Sequence, residues 1–124
     1  MGRMSRELMD RAESLGDRFL NLARALERKR VWNRVIDQIV GCGTSVGANV
    51  FEADEAMSRK DWIKSMGIAV KELNEARYWL RRIEHQQWIA SERIASLAAD
   101  CDELRRIFGA MIASARGERK RKPS

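Results

Sequence analysis

Three groups of residues have side chains of the kind that do chemistry, and each falls short of a complete constellation. Gly41-Cys42-Gly43-Thr44-Ser45-Val46-Gly47 has the glycine density of a phosphate-cradling loop. It lacks the lysine with which such a loop reaches the phosphates, and it follows a helical pattern, not a strand. A cysteine nucleophile would need Cys42 or Cys101 beside His85 and a third group to orient the imidazole, and no such group is signalled. Two thiols and one imidazole do not complete a tetrahedral metal site. Glu52, Glu72 and Glu75 would offer helix-borne carboxylates to a metal, yet the paired Glu-x-x-His pattern of di-iron bundles is missing. The expectation is a protein that is not an enzyme, with no catalytic residue, cofactor or metal ion.

Charge points elsewhere. The chain has 124 residues and a net charge of +6, with a pI near 9.9. Such an excess attracts polyanions by counterion release without choosing between RNA, DNA, anionic lipid and an acidic protein. The alternative is a protein that is merely basic. Residues 1–34 carry nine basic and five acidic groups, and 58–86 carry seven and four. Residues 35–57 carry four acids and no base. The candidate phosphate contacts are therefore Arg11, Arg18, Arg24, Arg28, Lys29, Arg30 and Arg34 in the first part of the chain. Lys64, Arg77, Arg81 and Arg82 follow in the third segment, and Arg119, Lys120, Arg121 and Lys122 lie in the tail. Residues 117–124 read as a basic disordered tail that either follows a polyanion or only solubilises the chain. The apolar setting of Cys42 and Cys101 favours two buried, reduced thiols and a cytoplasmic, soluble protein, with a disulfide left open. No long apolar run marks a membrane span.

The elements that must position these groups are helices. The single proline is Pro123, and good helix formers dominate. Leu8, Ala12, Leu15, Phe19, Leu22 and Leu26 recur at three- and four-residue steps, which predicts a first helix over about 5–29. Arg28-Lys29-Arg30 carries the turn. A second helix is expected over about 31–54, with Trp32, Val35, Ile36, Ile39, Val40, Val46, Val50 and Ala53 on its apolar side. Ser58, three residues before Asp61, opens a third helix that continues through Trp62, Met66, Ala69, Leu73, Ala76, Leu80 and Ile83 to about Glu84. His85 to Ala90 is expected to turn, and Ser91 to cap a fourth helix along Ile94, Leu97, Ala98, Cys101, Leu104, Phe108, Met111 and Ile112, ended by Gly117. Short connections predict an all-α, antiparallel up-down-up-down four-helix bundle over residues 1–116.

Gly41, Gly43 and Gly47 lie inside the second helix, where each costs roughly 1 kcal/mol against alanine. Gly43 and Gly47, one turn apart, would admit another helix at close range; a kink near 41–45 is the competing reading. Ser45, Asn49 and Glu52 share one face of this helix, and Glu72, Glu75 and Trp79 share one face of the third. Between helices, such groups would hydrogen-bond across the interface and fix its register, since a buried polar group without a partner costs several kcal/mol. The other reading is a site for RNA or a protein partner.

These motifs together carry a resemblance. Gly43-Thr44-Ser45-Val46-Gly47-Ala48-Asn49-Val50, Glu52-Ala53, Ser58-Arg59-Lys60-Asp61-Trp62-Ile63 and Ile68-Ala69-Val70-Lys71-Glu72-Leu73-Asn74-Glu75, followed by Tyr78-Trp79-Leu80, span some fifty residues. The stretch resembles the four-helix-bundle proteins encoded in intervening sequences of bacterial large-subunit rRNA genes, with Phe51 and Trp62 as mild departures. The resemblance implies a homopentameric ring with a basic surface and a role in binding RNA or DNA. More distant relatives are accessory proteins of diversity-generating retroelements, which implies a reverse transcriptase as an alternative partner. Gly43, Ser45, Gly47, Asn49, Glu52, Lys71, Glu72, Glu75, Tyr78 and Trp79 occupy the family's characteristic positions, and no catalytic residues carry over.

Overall fold

In the computed structural model, which describes residues 4–117, the chain forms four helices: α1 Arg6–Arg28, α2 Asn33–Asp54, α3 Arg59–Gln86 and α4 Ser91–Ala115. Successive helices pack in antiparallel pairs, and α1 closes on α4 in the sparsest of the four seams. The periodic stripes meet in one core. Leu15, Phe19, Leu22 and Leu26 of α1, Ile39 and Val46 of α2, the α3 series from Met66 to Ile83, and Leu104 and Phe108 of α4 are fully enclosed. Every stripe residue expected on α3 is buried.

Helix ends follow local chemistry. Ser5 Oγ accepts from the Leu8 amide at 3.2 Å and Ser58 Oγ from the Asp61 amide at 3.0 Å, so each serine satisfies a donor that the helix leaves unpaired. Ser91 does not cap α4. Ala90 holds the cap position without a side-chain bond, and Ser91 is already helical. Gly117, at φ +78°, lies just past the end of α4 in the left-handed conformation that glycine tolerates.

The two loops at the other end are built alike. After α1, Arg30 adopts φ 60° and the Val31 amide donates to the Leu26 carbonyl at 3.1 Å. After α3, Gln87 adopts φ 58° and the Trp88 amide donates to the Ile83 carbonyl at 3.3 Å. In both, a left-handed residue reverses the chain, and the next apolar side chain folds back onto the core. Two expectations change as a result. Val31 and Trp32 precede α2 instead of opening it, and α3 runs through His85 and Gln86 before it turns.

The glycines of α2 settle the choice between a kink and close packing. The helix is continuous from Asn33 to Asp54. A Cβ on Gly43 would lie 2.5 Å from Phe19 Cβ and 2.9 Å from Phe19 Cδ2, while one on Gly47 would meet the Ala12 carbonyl oxygen at 3.5 Å. From the α1 side, a Cβ on Gly16 would touch the Gly43 carbonyl oxygen at 3.7 Å. Small residues on both helices thus let the α1 and α2 backbones come together.

Candidate nucleic-acid interface

The basic residues singled out in the sequence divide by what they touch. Arg11 donates to Asp100 Oδ1 at 3.0 Å and to Glu103 Oε1 at 2.7 Å. Arg18 donates to Asp100 Oδ2 at 3.0 Å and to Ser96 Oγ at 2.9 Å. Arg77 donates through Nε to Asp102 Oδ1 at 2.7 Å. These arginines fasten α4 to α1 and α3. Local geometry explains it: on α4, Asp100 and Asp102 flank the buried Cys101, so one carboxylate faces each neighbouring helix. The Glu103 and Asp100 acceptors raise the Arg11 pKa above its usual value, against the opposing effect of burial.

Arg28, Lys29, Arg30 and Arg34 are exposed, and among the described residues no ion pair engages them. Among the described residues Arg24 reaches Asn21 Oδ1, at 3.2 Å. The antiparallel order sets this group at the same end of the bundle as Arg81, Arg82 and His85 of α3 and Arg93 of α4. Arg82 is half-buried, its guanidinium carbon 6.0 Å from the centre of the Tyr78 ring, with no partner for Nε among the described residues. Lys64 is exposed near the opposite end, beside Asp61 and Ile68. Arg119, Lys120, Arg121 and Lys122, and with them all of the tail but Gly117, lie outside the described residues.

Between the loops of the basic end stand two aromatic side chains. Trp32 is 73% exposed, and its ring meets that of Trp88 edge to face, with centroids 6.4 Å apart and planes at 75°. Trp88 is half-buried against the core. Periodicity counts Trp32 among the apolar residues of α2; the reversal at Arg30 puts it outside the helix instead. The alternation of cations and an aromatic in Arg28-Lys29-Arg30-Val31-Trp32 is the sequence signal for this cluster.

Among the described residues no side-chain hydrogen bond joins the polar motif sets of α2 and α3. Asn49 Nδ2 donates to the Ser45 carbonyl of its own helix at 2.8 Å, and the seam is lined by apolar residues such as Ile39, Val46, Ala69 and Leu73. Cross-helix polar bonds instead join α4 to its neighbours, including Arg105 to Asn74 Oδ1 at 3.2 Å. Glu72 is half-buried beside Glu75, and burial followed by the Glu75 charge pushes its carboxyl above the usual range. Lys71, Glu75, Tyr78 and Arg82 form the outer stripe of α3, while Trp79 turns toward the core and meets Tyr78 at 5.3 Å. Cys42 and Cys101 are free and buried, and burial pushes each thiol up to about 12. Among the described residues no three His, Cys, Asp or Glu side chains gather closely enough to hold a metal, so Glu52 is not brought together with Glu72 and Glu75. No helix among them is long and apolar enough to cross a membrane.

A groove of about 440 Å³ opens between α1 and α2, lined by Leu20, Ala48 and Phe51 and rimmed by Glu13, Asp17 and Glu52. Phe51 is 62% exposed.

Fold and surface together define an all-α bundle of four antiparallel helices with a cationic, aromatic end. The chain belongs to the 23S rRNA-intervening sequence protein family, which matches residues 5–110 and so takes in α1 to α3, most of α4 and the motif positions. It is also similar to a crystal structure of a protein of unknown function from the S23 ribosomal protein family of Bacteroides thetaiotaomicron. The two share 33% identity and a TM-score of 0.81, over 85% of this chain and 97% of the other. No curated protein matches the chain.

Proposed function

We propose that this protein is a non-enzymatic, cytoplasmic, nucleic-acid-binding bundle that contacts phosphates through its basic end and acts as an oligomer. The observation that carries the reading is the division among the arginines. Arg11, Arg18 and Arg77 are neutralised by carboxylates of α4, whereas Arg28, Lys29, Arg30 and Arg34 are exposed at one end with no ion pair among the described residues. Phosphate contacts of this kind give affinity and position without reading sequence. Structured RNA is the favoured ligand, in keeping with the rRNA setting in the family's description. Buried, unreactive thiols support a reducing compartment.

Self-association, as a ring of five, would repeat the basic end and multiply weak contacts. The groove around Phe51 and Leu20 supplies apolar surface for it. Light scattering should give a mass about five times the 14.3 kDa chain, and a monomer would refute the ring. Binding is tested by filter retention of structured RNA and duplex DNA across a salt series. Affinity should fall as salt rises; no binding at low salt, or binding indifferent to salt, refutes the nucleic-acid reading.

The same acid-rimmed groove favours a second reading, that of a protein-interaction adaptor, for example an accessory subunit to a reverse transcriptase of a diversity-generating retroelement. A coding region beside a reverse transcriptase gene, in place of one inside an rRNA gene, would support it.

A further inference from the structure

The basic end has one property that phosphate binding does not explain. Burying an indole is worth several kcal/mol in a fold, because its large apolar surface leaves water. Trp32 forgoes most of that, with 73% of its surface exposed. Nor does it cap α2, where its side chain makes no bond. Its backbone is set by its neighbours: Val31 packs into the core, and the Val35 and Ile36 amides donate to the Trp32 carbonyl at 3.0 and 3.2 Å. The ring is steadied by its edge-to-face contact with Trp88, itself packed against the core. An edge-to-face contact holds an aromatic ring in place without covering both of its faces.

Four cations, Arg28, Lys29, Arg30 and Arg34, lie within two residues or one helical turn of this ring in sequence, and no acid falls between 28 and 34. The nearest acids in the chain are Glu27 and Asp37, and Glu84 and Glu92 flank the facing loop, where Arg81 and Arg93 oppose them. Arg30 holds a left-handed conformation that an L-residue adopts at a cost.

A π surface bordered by cations matches a base and the phosphates on either side of it. A duplex stacks its bases on one another and offers only its backbone and groove edges, so it would use the cations and leave the indole idle. A protein partner of basic character would be repelled here and better suited to the acid-rimmed groove at Phe51. Resting on the nucleic-acid reading above, we infer that the loop end of the bundle is a binding site for unpaired nucleotides. One base stacks on Trp32, and Arg28, Lys29, Arg30 and Arg34 hold the adjoining phosphates.

The test compares a fluorescently labelled oligouridylate and a blunt RNA duplex of equal length, each titrated with the full chain. Trp32→Ala should weaken oligouridylate binding roughly tenfold, equivalent to about 1.4 kcal/mol, and leave the duplex unchanged. Trp32→Phe, which keeps a stacking face, should recover most of the loss. Lys29→Gln should weaken both ligands and reduce the salt slope by about one. Circular dichroism checks that each variant remains folded, as an exposed position predicts. Equal effects of Trp32→Ala on strand and duplex, or no effect on either, would overturn the stacking site while leaving phosphate binding intact. Failure of the unaltered chain to bind either RNA at low salt would overturn both.

Discussion

Replacing Gly43 by alanine adds one methyl group, and the structure gives that methyl nowhere to go. It would lie 2.5 Å from Phe19 Cβ and 2.9 Å from Cδ2, where carbon atoms ordinarily rest about 3.5–4.0 Å apart. Phe19 cannot relieve the overlap by changing rotamer, because rotation about its Cα–Cβ bond leaves Cβ in place. The α1 and α2 backbones must therefore separate by about 1 Å along a seam that is otherwise close-packed, which puts the cost near the upper end of the 1–3 kcal/mol typical of overpacking. Alanine's better helix propensity returns roughly 1 kcal/mol, leaving a net loss of about 2. Two residues away, Gly41 has nothing near its Cβ position, so Gly41→Ala should stabilise by up to about 1 kcal/mol. Urea denaturation followed by circular dichroism would measure both, and the two variants should straddle the unaltered protein. Phe19→Gly combined with Gly43→Ala should be less damaging than the sum of the single changes by more than about 1 kcal/mol, because only glycine at 19 removes the Cβ as well as the ring and with them the clash. A Gly43→Ala protein as stable as the parent, or strict additivity with Phe19→Gly, would refute the close-approach argument.

Three further outcomes follow from the polar groups. Burial and Glu75 raise the Glu72 pKa in the folded chain, so between its ordinary value of 4.5 and the raised one the folded state binds more protons, and stability falls as pH rises through that window. Glu72→Gln should thus stabilise the protein at neutral pH and have little effect below pH 4.5, as read from melting temperatures across a pH series. Cys42 and Cys101, with pKa values pushed up to about 12, should resist alkylation in the native chain at mildly alkaline pH and yield two reactive thiols after denaturation, counted by mass spectrometry. Asp100→Asn removes the carboxylate charge shared by Arg11 and Arg18, both partly exposed, and should cost about 1 kcal/mol in urea denaturation; Arg11 keeps Glu103 while Arg18 loses its ionic partner, so that nucleic-acid affinity depends more steeply on salt.

How much of this was legible in the sequence depended on whether a feature is local. The α3 series from Trp62 to Ile83 could be read residue by residue, since burial at helical spacing is a property of one helix. Ser58 fitted the same logic, because a cap reaches only three residues ahead. Trp32 did not. Its apolar character enrolled it in the α2 stripe, while the left-handed turn at Arg30 that expels it leaves no mark in hydrophobic periodicity, and arginine is not a residue one expects there. The partners of Arg11, Arg18 and Arg77 were hidden for another reason. Their carboxylates are 92, 89, 82 and 25 residues away, and pairing rules within a helix reach only to the fourth neighbour. Gly43 and Gly47 announced a close approach, and only the assembled helices could say that α1 is the partner.

The α1–α4 seam has a consequence for how the molecule opens. Three seams join helices that follow one another in sequence, while the fourth joins the two ends of the bundle, is the least closely packed, and carries the Arg11, Arg18, Asp100 and Glu103 ion pairs. The bundle therefore resembles a rolled strip of four slats fastened by an electrostatic clasp. A dense polyanion competes with Asp100 for the same guanidiniums, and concentrated salt screens them. Amide hydrogen exchange in α1 and α4 should respond to ionic strength before that in α2 and α3, making this edge the route by which the rolled strip first comes undone.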